Sequence, residues 1–536
     1  MTTMKIKKSI VQLLTVLSLV TFITACTNDA WDEHYSAVPS IKSELNTFDY
    51  IKSQSNLTKF TQMLELTGYD SILSQSQTFT VWAPVDESLT GVDMDNLPEV
   101  TKIVTNHITR YSHPSSEVSK KARNITMLNS KLIEFKNSAT GFTFDSKAIT
   151  TPDIATKNGI IHILSQYVAY KRNFWEFINE TPGLDSLKTY LNNMSILELD
   201  NDKSYEDGVF VDSIFKQTNF ILDYVAALNV EDSIYTGILP DNQAWITAYN
   251  AYFPYFKTLP AEGGVAVQRQ TTLLRMVYDK FYSGLVSDKT DTIINTIGNK
   301  FADPQRFFTG TQVHTLSNGV AHITSEFKNK PTETWLAPIK VEAERSSEFR
   351  TASYYTLSEN SAIGSGLTVS KGNYLQAFPT AGGDVQGLNS MYVRIPISGT
   401  LSAKYNIYCV FVPPTVISSN EPKPSKVKFF FSYINASGAQ KIELPVNATN
   451  NVEVNFTGTN TQAIAKAAPF ETKGSEMYKM LVVKEFQFPF TNIRYDAVTG
   501  KYTPTVFLRI NNAAKFNETA YTRTLRIDCI ILEPVE

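Results

Sequence analysis

Two signals occur twice in this chain, in the same order and at nearly the same spacing. The first is an apolar run that ends at a proline and is closely followed by an acidic residue, and Pro84 and Pro240 mark its two occurrences. The second is an Asn-Gly dipeptide before an apolar run, in which Gly159 and Gly319 hold the same place. The prolines are 156 residues apart and the glycines 160. Because self-similarity at a fixed period indicates one structural unit used again, we predict two tandem copies of a single domain.

The first copy, residues 47–170, combines helical and extended patterns. Apolar side chains recur at helical spacing over residues 48–64, and Gly68 follows as a predicted helix C-cap. An alternating run then predicts a strand that Pro84 ends, after which Asp86 is predicted to N-cap the next helix. The Asn-Gly dipeptide indicates a tight turn, since both residues tolerate positive φ. Together these patterns predict an α+β domain.

The second copy, residues 171–328, repeats these events with extra sequence in its first half. The interval from the opening phenylalanine to the proline is 36 residues in the first copy, from Phe48, and 66 residues in the second, from Phe174. We therefore predict an insert near residues 200–233.

Both signals resemble the marker segments of fasciclin-like domains. In the first copy they are Thr80-Val-Trp-Ala-Pro-Val-Asp-Glu-Ser-Leu89 and Asn158-Gly-Ile-Ile-His-Ile163, and the second copy is more divergent. The resemblance covers about 280 of the 536 residues and implies two domains of a kind that commonly binds protein. The positions that match the family's motif are Pro84, Asp86, His107, Gly159 and His162 in the first copy, and Pro240, Asp241, Gly319 and His322 in the second.

The histidines of the two copies give little indication of chemistry. The family's Tyr-His pair is Asn106-His107 in the first copy, and near Tyr278 in the second copy the histidine is missing. His162 and His322 hold matching positions in apolar runs, which favours a structural histidine over a general base.

Motifs for catalysis are missing from the sequence. The six histidines form no zinc-binding pattern, and there is neither a nucleophile elbow nor a phosphate-binding glycine loop. We therefore predict a binding protein, not an enzyme, with no required cofactor. A glycosidase stays open as the alternative, because its two carboxylates can come from any part of a sequence.

From about residue 331 the helical spacing gives way to period-two alternation, as in Val427-Phe429-Phe431-Tyr433. This pattern predicts an all-β sandwich or jelly roll over residues 331–536. Segments 340–344 and 525–533 resemble the first and last strands of family 6-type carbohydrate-binding modules, which often hold a structural calcium there. The resemblance implies calcium ligation by Glu342, Glu344 and Asp528, and the alternative is that these are solvated carboxylates on edge strands.

A glycan-binding surface in this region would need aromatic rings, because sugar faces stack on them. No tryptophan follows Trp335, so the candidates are Tyr354, Tyr355, Tyr374 and Phe378. The alternative is that these side chains belong to the core, as most aromatic residues in strands do.

The first 25 residues predict an export signal. Three lysines precede an apolar stretch over residues 10–23, which is shorter than the roughly 20 residues that a membrane-spanning helix needs. Residues 23–26, Ile-Thr-Ala-Cys, resemble a bacterial lipobox, which implies cleavage before Cys26 and lipidation of its thiol. The acidic segment 26–46 resembles the surface-export tether of Bacteroidota lipoproteins and implies an outer-membrane lipid anchor facing the cell exterior.

Cys409 and Cys529 lie in alternating apolar runs of the C-terminal third. Buried free cysteines pack as small apolar side chains, which is the favoured interpretation. A disulfide between them stays open, because sequence alone does not give the distance between two Cα atoms.

Positive and negative charges nearly balance, with 49 Lys and Arg against 52 Asp and Glu, which predicts no nucleic-acid partner. We predict a non-catalytic surface lipoprotein that binds extracellular glycan as an accessory to a TonB-dependent outer-membrane importer and its lid lipoprotein. The alternative is an adhesin or scaffold whose fasciclin-like domains bind protein partners.

Overall fold

The computed structural model describes residues 41–206, 208–345, 349–380, 391–417, 422–492, 495–496 and 501–535. These residues divide into two compact units. The first comprises the described residues up to Glu180 with Ala227–Ile234 and His314–Val320, and the second comprises Thr181–Ala226, Tyr235–Val313 and the described residues from Ala321 onward. Cys26 and the predicted signal peptide lie outside the described residues. Within the described ranges no helix is long and apolar enough to span a membrane.

The first unit is an α+β fold. Its helices are α1 (Thr47–Ser53), α2 (Thr58–Thr67), α3 (Tyr69–Leu73), α4 (Leu97–Thr105) and α5 (Phe174–Glu180). Its strands are β1 (Ile41–Lys42), β2 (Phe79–Pro84), β3 (Ile108–Arg110), β4 (Arg123–Thr126), β5 (Leu132–Ser138), β6 (Gly141–Phe144), β7 (Lys147–Thr156) and β8 (Gly159–Leu164). The strands form one sheet in the order β3-β2-β8-β7-β6-β5-β4, and β1 pairs with β7.

Strand β2, which lies between β3 and β8, is buried along its whole length and separates two apolar clusters. Val81 packs in the cluster that contains Phe60 of α2, whereas Trp82 packs in the other. The Trp82 ring stacks on Phe144 with centroids 4.2 Å apart. β2 runs parallel to β8, and parallel strands covered on both faces are continuously apolar. This explains why every residue of β2 is buried, including Thr80 and Trp82 at the positions between Phe79, Val81 and Ala83.

The start of the first copy matches its sequence pattern in one respect and departs from it in another. Gly68 has φ of 75° and donates its N–H to carbonyls of α2, which confirms the predicted C-cap. Asp86 does not cap the one-turn 3-10 helix that it begins. Its carboxylate instead accepts the backbone N–H groups of Thr58 at 3.0 Å and Lys59 at 2.7 Å, at the start of α2. The predicted local cap was wrong, because folding brings unsatisfied N–H groups of α2 to the same carboxylate.

The second copy repeats the order of elements of the first. Its further helices are α6 (Asp185–Asn193), α7 (Asn201–Ser204), α8 (Phe220–Tyr224), α9 (Asn242–Tyr252), α10 (Gly264–Tyr278) and α11 (Gln305–Phe308). Its strands are β9 (Ser195–Leu199), β10 (Tyr205–Glu206), β11 (Val209–Phe210), β12 (Phe215–Asn219), β13 (Tyr235–Pro240), β14 (Phe281–Ser283), β15 (Thr292–Ile294), β16 (Lys300–Ala302), β17 (Gln312–Leu316) and β18 (Gly319–Thr324). β13 lies between β14 and β18, as β2 lies between β3 and β8.

The predicted insert falls on two small antiparallel ribbons of the second copy. β9 pairs with β12, and β10 pairs with β11. Large apolar side chains of this segment are exposed, among them Leu197, Val209, Phe210, Phe215 and Tyr224. The extra sequence therefore forms a surface feature.

The C-terminal third is an all-β sandwich, as predicted. Its strands are β19 (Ile339–Glu342), β20 (Thr351–Ser353), β21 (Tyr355–Ser361), β22 (Asn373–Pro379), β23 (Tyr392–Ile397), β24 (Lys404–Phe411), β25 (Lys426–Ile434), β26 (Gln440–Pro445), β27 (Phe470–Glu471), β28 (Tyr478–Gln487), β29 (Tyr495–Asp496), β30 (Lys501–Tyr502), β31 (Val506–Asn512) and β32 (Leu525–Pro534), and its described residues also include the helix α12 (Asn460–Lys466). One sheet has the order β21-β22-β32-β24-β28 with β19 on β32, and the other β20-β23-β31-β25-β26 with β27 on β25.

Cys409 on β24 and Cys529 on β32 are both buried free thiols. Both are free and buried, in agreement with the favoured interpretation of the sequence, although the Cys529 sulfur also lies beside the carboxylates of Glu342 and Asp528.

Candidate functional site

The Asn-Gly segments that marked the repeat have a structural role. The Asn158 side chain accepts the backbone N–H of Thr47 at 2.8 Å and donates to the carbonyls of Leu73 at 2.7 Å and Gln75 at 2.5 Å. It therefore fastens the start of α1 and the chain after α3 to the start of β8. Gly159 follows because a Cβ there would lie 2.2 Å from the Phe79 carbonyl oxygen.

Asn318 repeats this arrangement in the second copy, within the first unit. Its side chain accepts the backbone N–H of Phe174 at 2.9 Å and donates to the carbonyls of Leu228 and Val230, both at 3.0 Å. Gly319 follows it with φ of 145°. The same bonds at equivalent places show that both copies use this asparagine as an internal clamp.

The proline segments also act inside the fold. Pro84 and Pro240 end β2 and β13. Asp241 accepts the N–H of Ala244 at 2.7 Å and caps α9. Asn242 accepts the N–H of Ser186 at the start of α6 at 2.8 Å, which is the role that Asp86 has in the first copy. Asp241 and Asn242 therefore each cap the start of a helix.

The histidines of the marker segments are buried and hydrogen-bonded. His107 has Nδ1 2.7 Å from the Ile103 carbonyl, and its Nε2 accepts the Val168 N–H at 2.9 Å. Burial lowers the pKa of His107 to about 4. The backbone contacts of His162 are to the His113 carbonyl at 2.9 Å and the Asp153 N–H at 3.2 Å, and burial lowers its pKa as well. Both are structural histidines.

His322 lies 3.0 Å from the Thr311 hydroxyl through Nδ1 and packs edge-on against Phe308. Partial burial lowers its pKa. A neutral imidazole in such contacts is again a structural residue.

Two of the three predicted metal ligands, Glu342 and Asp528, come together where the first and last strands of the sandwich pair, whereas Glu344 lies outside this close group. β19 and β32 are antiparallel, with Glu342 opposite Cys529. Oxygens of Glu342 and Asp528 and the Cys529 sulfur all lie within 4.8 Å of one another. The main chain and hydroxyl of Ser370 hold the two carboxylates, at 3.0 Å from Asp528 Oδ1 and 2.8 Å from Glu342 Oε1. Both side chains are thereby oriented toward one point.

This cluster concentrates negative charge in a buried place. Burial raises the pKa of Asp528, and the Glu342 carboxylate raises it further. Burial likewise raises the pKa of Glu344, with Glu342 and Asp528 adding to the effect. Glu342 Oε2 and Glu344 Oε2 have no hydrogen-bond partner among the described residues. The Lys371 ammonium, 3.7 Å from Glu342 Oε1, neutralises the cluster only in part.

The predicted aromatic candidates separate into buried and exposed groups. Tyr355 and Tyr374 are buried, and the Tyr355 hydroxyl donates to the Arg523 carbonyl at 2.8 Å. Tyr354 is 42% exposed and Phe378 57% exposed. Buried rings offer no face to a ligand, so Tyr355 and Tyr374 are core residues, and a glycan surface depends on Tyr354 and Phe378.

Tyr354 and Phe378 belong to the paired segment formed by strands β21 and β22. Tyr354 immediately precedes β21, and Phe378 pairs with Thr356, two residues further on. The Tyr354 backbone has φ of 53°, and its carbonyl accepts the Thr380 N–H at 3.0 Å. Positive φ is a strained backbone conformation for tyrosine, and such strain clusters at ligand sites.

Sequence reasoning missed a cavity of about 310 Å³ in the first unit, lined in part by Lys131 and Glu231. These residues are a hundred positions apart and belong to no motif, so no local signal brought them together.

Comparison with family models supports the fold of the first copy. The family model of the Fasciclin domain matches residues 55–169. No curated protein matches the chain. A solved FAS1 domain pair from the insect cell adhesion molecule Fasciclin I is 11% identical, with 52% of this chain and 98% of that chain covered and a TM-score of 0.21.

Two further solved structures are similar to part of the chain. The C-terminal family 22 carbohydrate-binding module of Clostridium thermocellum Xyn10B is 9% identical over 37% of this chain and 92% of that one, with a TM-score of 0.21. A Paenibacillus xanthan lyase is 14% identical over 47% of this chain and 18% of that one, with a TM-score of 0.19. At these identities and TM-scores the likenesses assign neither a ligand nor an activity to this chain.

Proposed function

We propose that this chain is a non-catalytic lipoprotein, anchored by lipid on Cys26 in the outer membrane and facing the exterior, that binds extracellular glycan through its sandwich. It would serve as an accessory to a TonB-dependent importer and its lid lipoprotein. The observation that supports glycan binding is the pair of exposed rings, Tyr354 and Phe378, beside a strained backbone. The apolar face of a sugar packs on such rings, and the Tyr hydroxyl offers a hydrogen bond at the wet edge.

Replacing Tyr354 by alanine is expected to weaken glycan binding by about tenfold, because a stacking ring contributes roughly 1.4 kcal/mol. Residues 27–536, without lipid, are applied to a glycan array, and the affinity for the best glycan is measured by calorimetry. Phe378→Ala is expected to have a similar effect.

Tyr224→Ala is the matched control, since Tyr224 is a tyrosine 75% exposed and lies outside the sandwich. Its affinity is expected to equal that of the unchanged chain. If the unchanged chain binds no glycan, the proposed function is wrong. If Tyr354→Ala and Phe378→Ala bind as well as the unchanged chain, glycan binding stands but its location does not.

We also propose that Glu342 and Asp528 hold a structural calcium, with Glu344 as a further ligand. Calcium prefers carboxylate oxygens, and this set offers two oxygens without a protein partner. Cys529 does not fit as a ligand, because burial raises the pKa of its thiol to about 12. A bound calcium would neutralise the buried carboxylates and fasten β19 to β32.

Calcium in hundredfold excess over its Kd is expected to stabilise the sandwich by about 2.7 kcal/mol, which is roughly 5–10 °C in Tm. Glu342→Gln is expected to abolish this gain. Without calcium the same variant is expected to melt no lower than the unchanged chain, because it removes repulsion from Asp528. The exposed Glu476→Gln is the control and keeps the response to calcium. Equal Tm values with calcium and with chelator would exclude the site.

The second candidate function is adhesion or scaffolding through the fasciclin-like domains. The specific observation in its favour is the apolar side chains exposed on the ribbons of the second copy, such as Leu197 and Phe210. Exposed apolar side chains concentrated in one segment are a feature of surfaces that contact other proteins. The glycan array separates the two functions, because a scaffold binds none of its members.

A further inference from the structure

The cavity of about 310 Å³ in the first unit lies beside a buried ion cluster. The Lys131 ammonium is 2.7 Å from Glu176 Oε2 and 2.6 Å from Glu231 Oε1, and its side chain is only 4% exposed. The Tyr170 hydroxyl donates to Glu176 Oε1 at 2.7 Å. Burial by itself would raise the pKa of Glu176, but the hydrogen bonds from Lys131 and Tyr170 outweigh it and lower the pKa. The Lys131 ammonium is therefore shared by the carboxylates of Glu176 and Glu231.

Glu231 is the carboxylate of the cluster that lines the cavity and can accept a further hydrogen bond. Its side chain is 10% exposed, and Oε1 accepts from Lys131 and from Asn173 Nδ2 at 2.9 Å. Oε2 has no hydrogen-bond partner among the described residues. A buried carboxylate oxygen without a donor is costly, so a donor supplied by a ligand would be stabilising.

The other charges around the cavity leave a negative surplus. Asp145 pairs with Lys171 at 3.0 Å, and Glu134 pairs with Lys136 at 2.5 Å. Asp232 on the same wall contacts no cation in the described ranges. Asp232 and the excess carboxylate of the Lys131 cluster together make the cavity suited to a positive group.

The uncharged lining is mostly aliphatic, with Asn106, Asn124 and Ser317 as its polar members, so the cavity combines an apolar wall with carboxylates. The aliphatic residues are Leu132, Ile133, Val168, Ala169, Ile234 and Leu316. Lysine and arginine side chains match this lining, because they bury methylene stems along apolar surface and present a cationic head. A neutral sugar would leave the surplus charge uncompensated, and a nucleotide or other anion would be repelled.

We propose that this cavity binds the side chain of a lysine or arginine presented by a partner protein. The site belongs to the fasciclin-like part of the chain and does not depend on glycan binding by the sandwich. It gives the fasciclin-like domains a recognition pocket of defined chemistry. Glu231 and Asp232 would bind the cationic head, and Val168 and Ile234 would contact the stem.

The test uses residues 27–536 and four small probes, observed by saturation-transfer NMR. The probes are the acetyl-amide derivatives of lysine, arginine, norleucine and citrulline. The two cationic probes are expected to bind with a Kd on the order of millimolar, as befits a single side chain, and to show contacts along their methylenes. Their uncharged counterparts are expected to bind about tenfold more weakly or not at all.

Amino-acid substitutions test whether the probes bind in this cavity. Asp232→Asn and Glu231→Gln are each expected to weaken the cationic probes by about tenfold, whereas Asp288→Asn, an exposed residue that does not line the cavity, is expected to change nothing. Because Glu231→Gln alters the Lys131 cluster, Ala169→Leu is included to fill the cavity from its exposed rim without changing charge. Equal signals from norleucine and lysine, or cationic binding that survives Asp232→Asn and Ala169→Leu together, would overturn the proposal. So would the absence of any signal from the cationic probes.

Discussion

Replacing Asn158 by alanine is expected to lower the free energy of unfolding of the first fasciclin-like domain by about 4 kcal/mol, because it orphans buried polar groups that cost 1–3 kcal/mol each. The amide holds the Thr47 N–H and the carbonyls of Leu73 and Gln75 at 2.5–2.8 Å, and it also accepts the Thr47 hydroxyl at 2.9 Å. Alanine replaces none of these bonds. The change is measured from denaturant midpoints of hydrogen exchange in peptides from β2 and β8.

Asn137→Ala serves as the control, because Asn137 is an exposed asparagine of β5. It is expected to change stability by less than about 0.5 kcal/mol. Asn318→Ala, which breaks the matching bonds in the second copy, is expected to cost nearly as much as Asn158→Ala. A loss of unfolding free energy below about 1 kcal/mol for Asn158→Ala would mean that water replaces the hydrogen bonds of the amide. The clamp would then not explain why the Asn-Gly segment occurs in both copies.

The repeat could be predicted from the sequence, but the reason for it could not. The Asn-Gly dipeptides gave the period because a tight turn before a buried strand is a local signal. The contacts of Asn158, however, reach Leu73 and Thr47, which are 85 and 111 residues away. The turn rule therefore found the right residue, but neither Asn158 nor Gly159 has the positive φ on which the rule relies, whereas Gly319 in the second copy does.

Asp86 shows the opposite case, in which a local rule gave the wrong partner. An acidic residue before a helical segment is a good N-cap by itself. In the folded chain the carboxylate lies at the start of α2, which offers several N–H groups, and it bonds there. Asn242 has the same role in the second copy, although the sequence singled out its neighbour Asp241. The spacing of residues along the sequence does not reveal such long-range hydrogen-bond partners.

The candidate sites were predictable to the extent that strand pairing could be inferred. Resemblance to the first and last strands of a jelly roll placed Glu342 near Asp528, and those strands do pair. The burial of the tyrosines was harder to predict, because adjacent residues of a strand face opposite sides of the sheet and the sequence does not say which side faces the core. Tyr354 and Tyr355 are neighbours, yet one is exposed and the other is core. The cavity at Glu231 could be identified only from the folded structure.

Replacing Gly159 by alanine is expected to destabilise the first domain by more than about 3 kcal/mol, a large effect for one added methyl group. The new Cβ would lie 2.2 Å from the Phe79 carbonyl oxygen and 3.0 Å from the Thr47 hydroxyl. Phe79 pairs with Gly159 in the central parallel ladder, so β2 cannot move away without breaking its bonds to β8. Gly91→Ala is the control, since nothing lies within 4 Å of its added Cβ. The same hydrogen-exchange midpoints measure the stability of both variants. If Gly159→Ala is nearly as stable as the unchanged chain, the β2–β8 ladder can move apart, and the close approach of the backbone is not what requires glycine here.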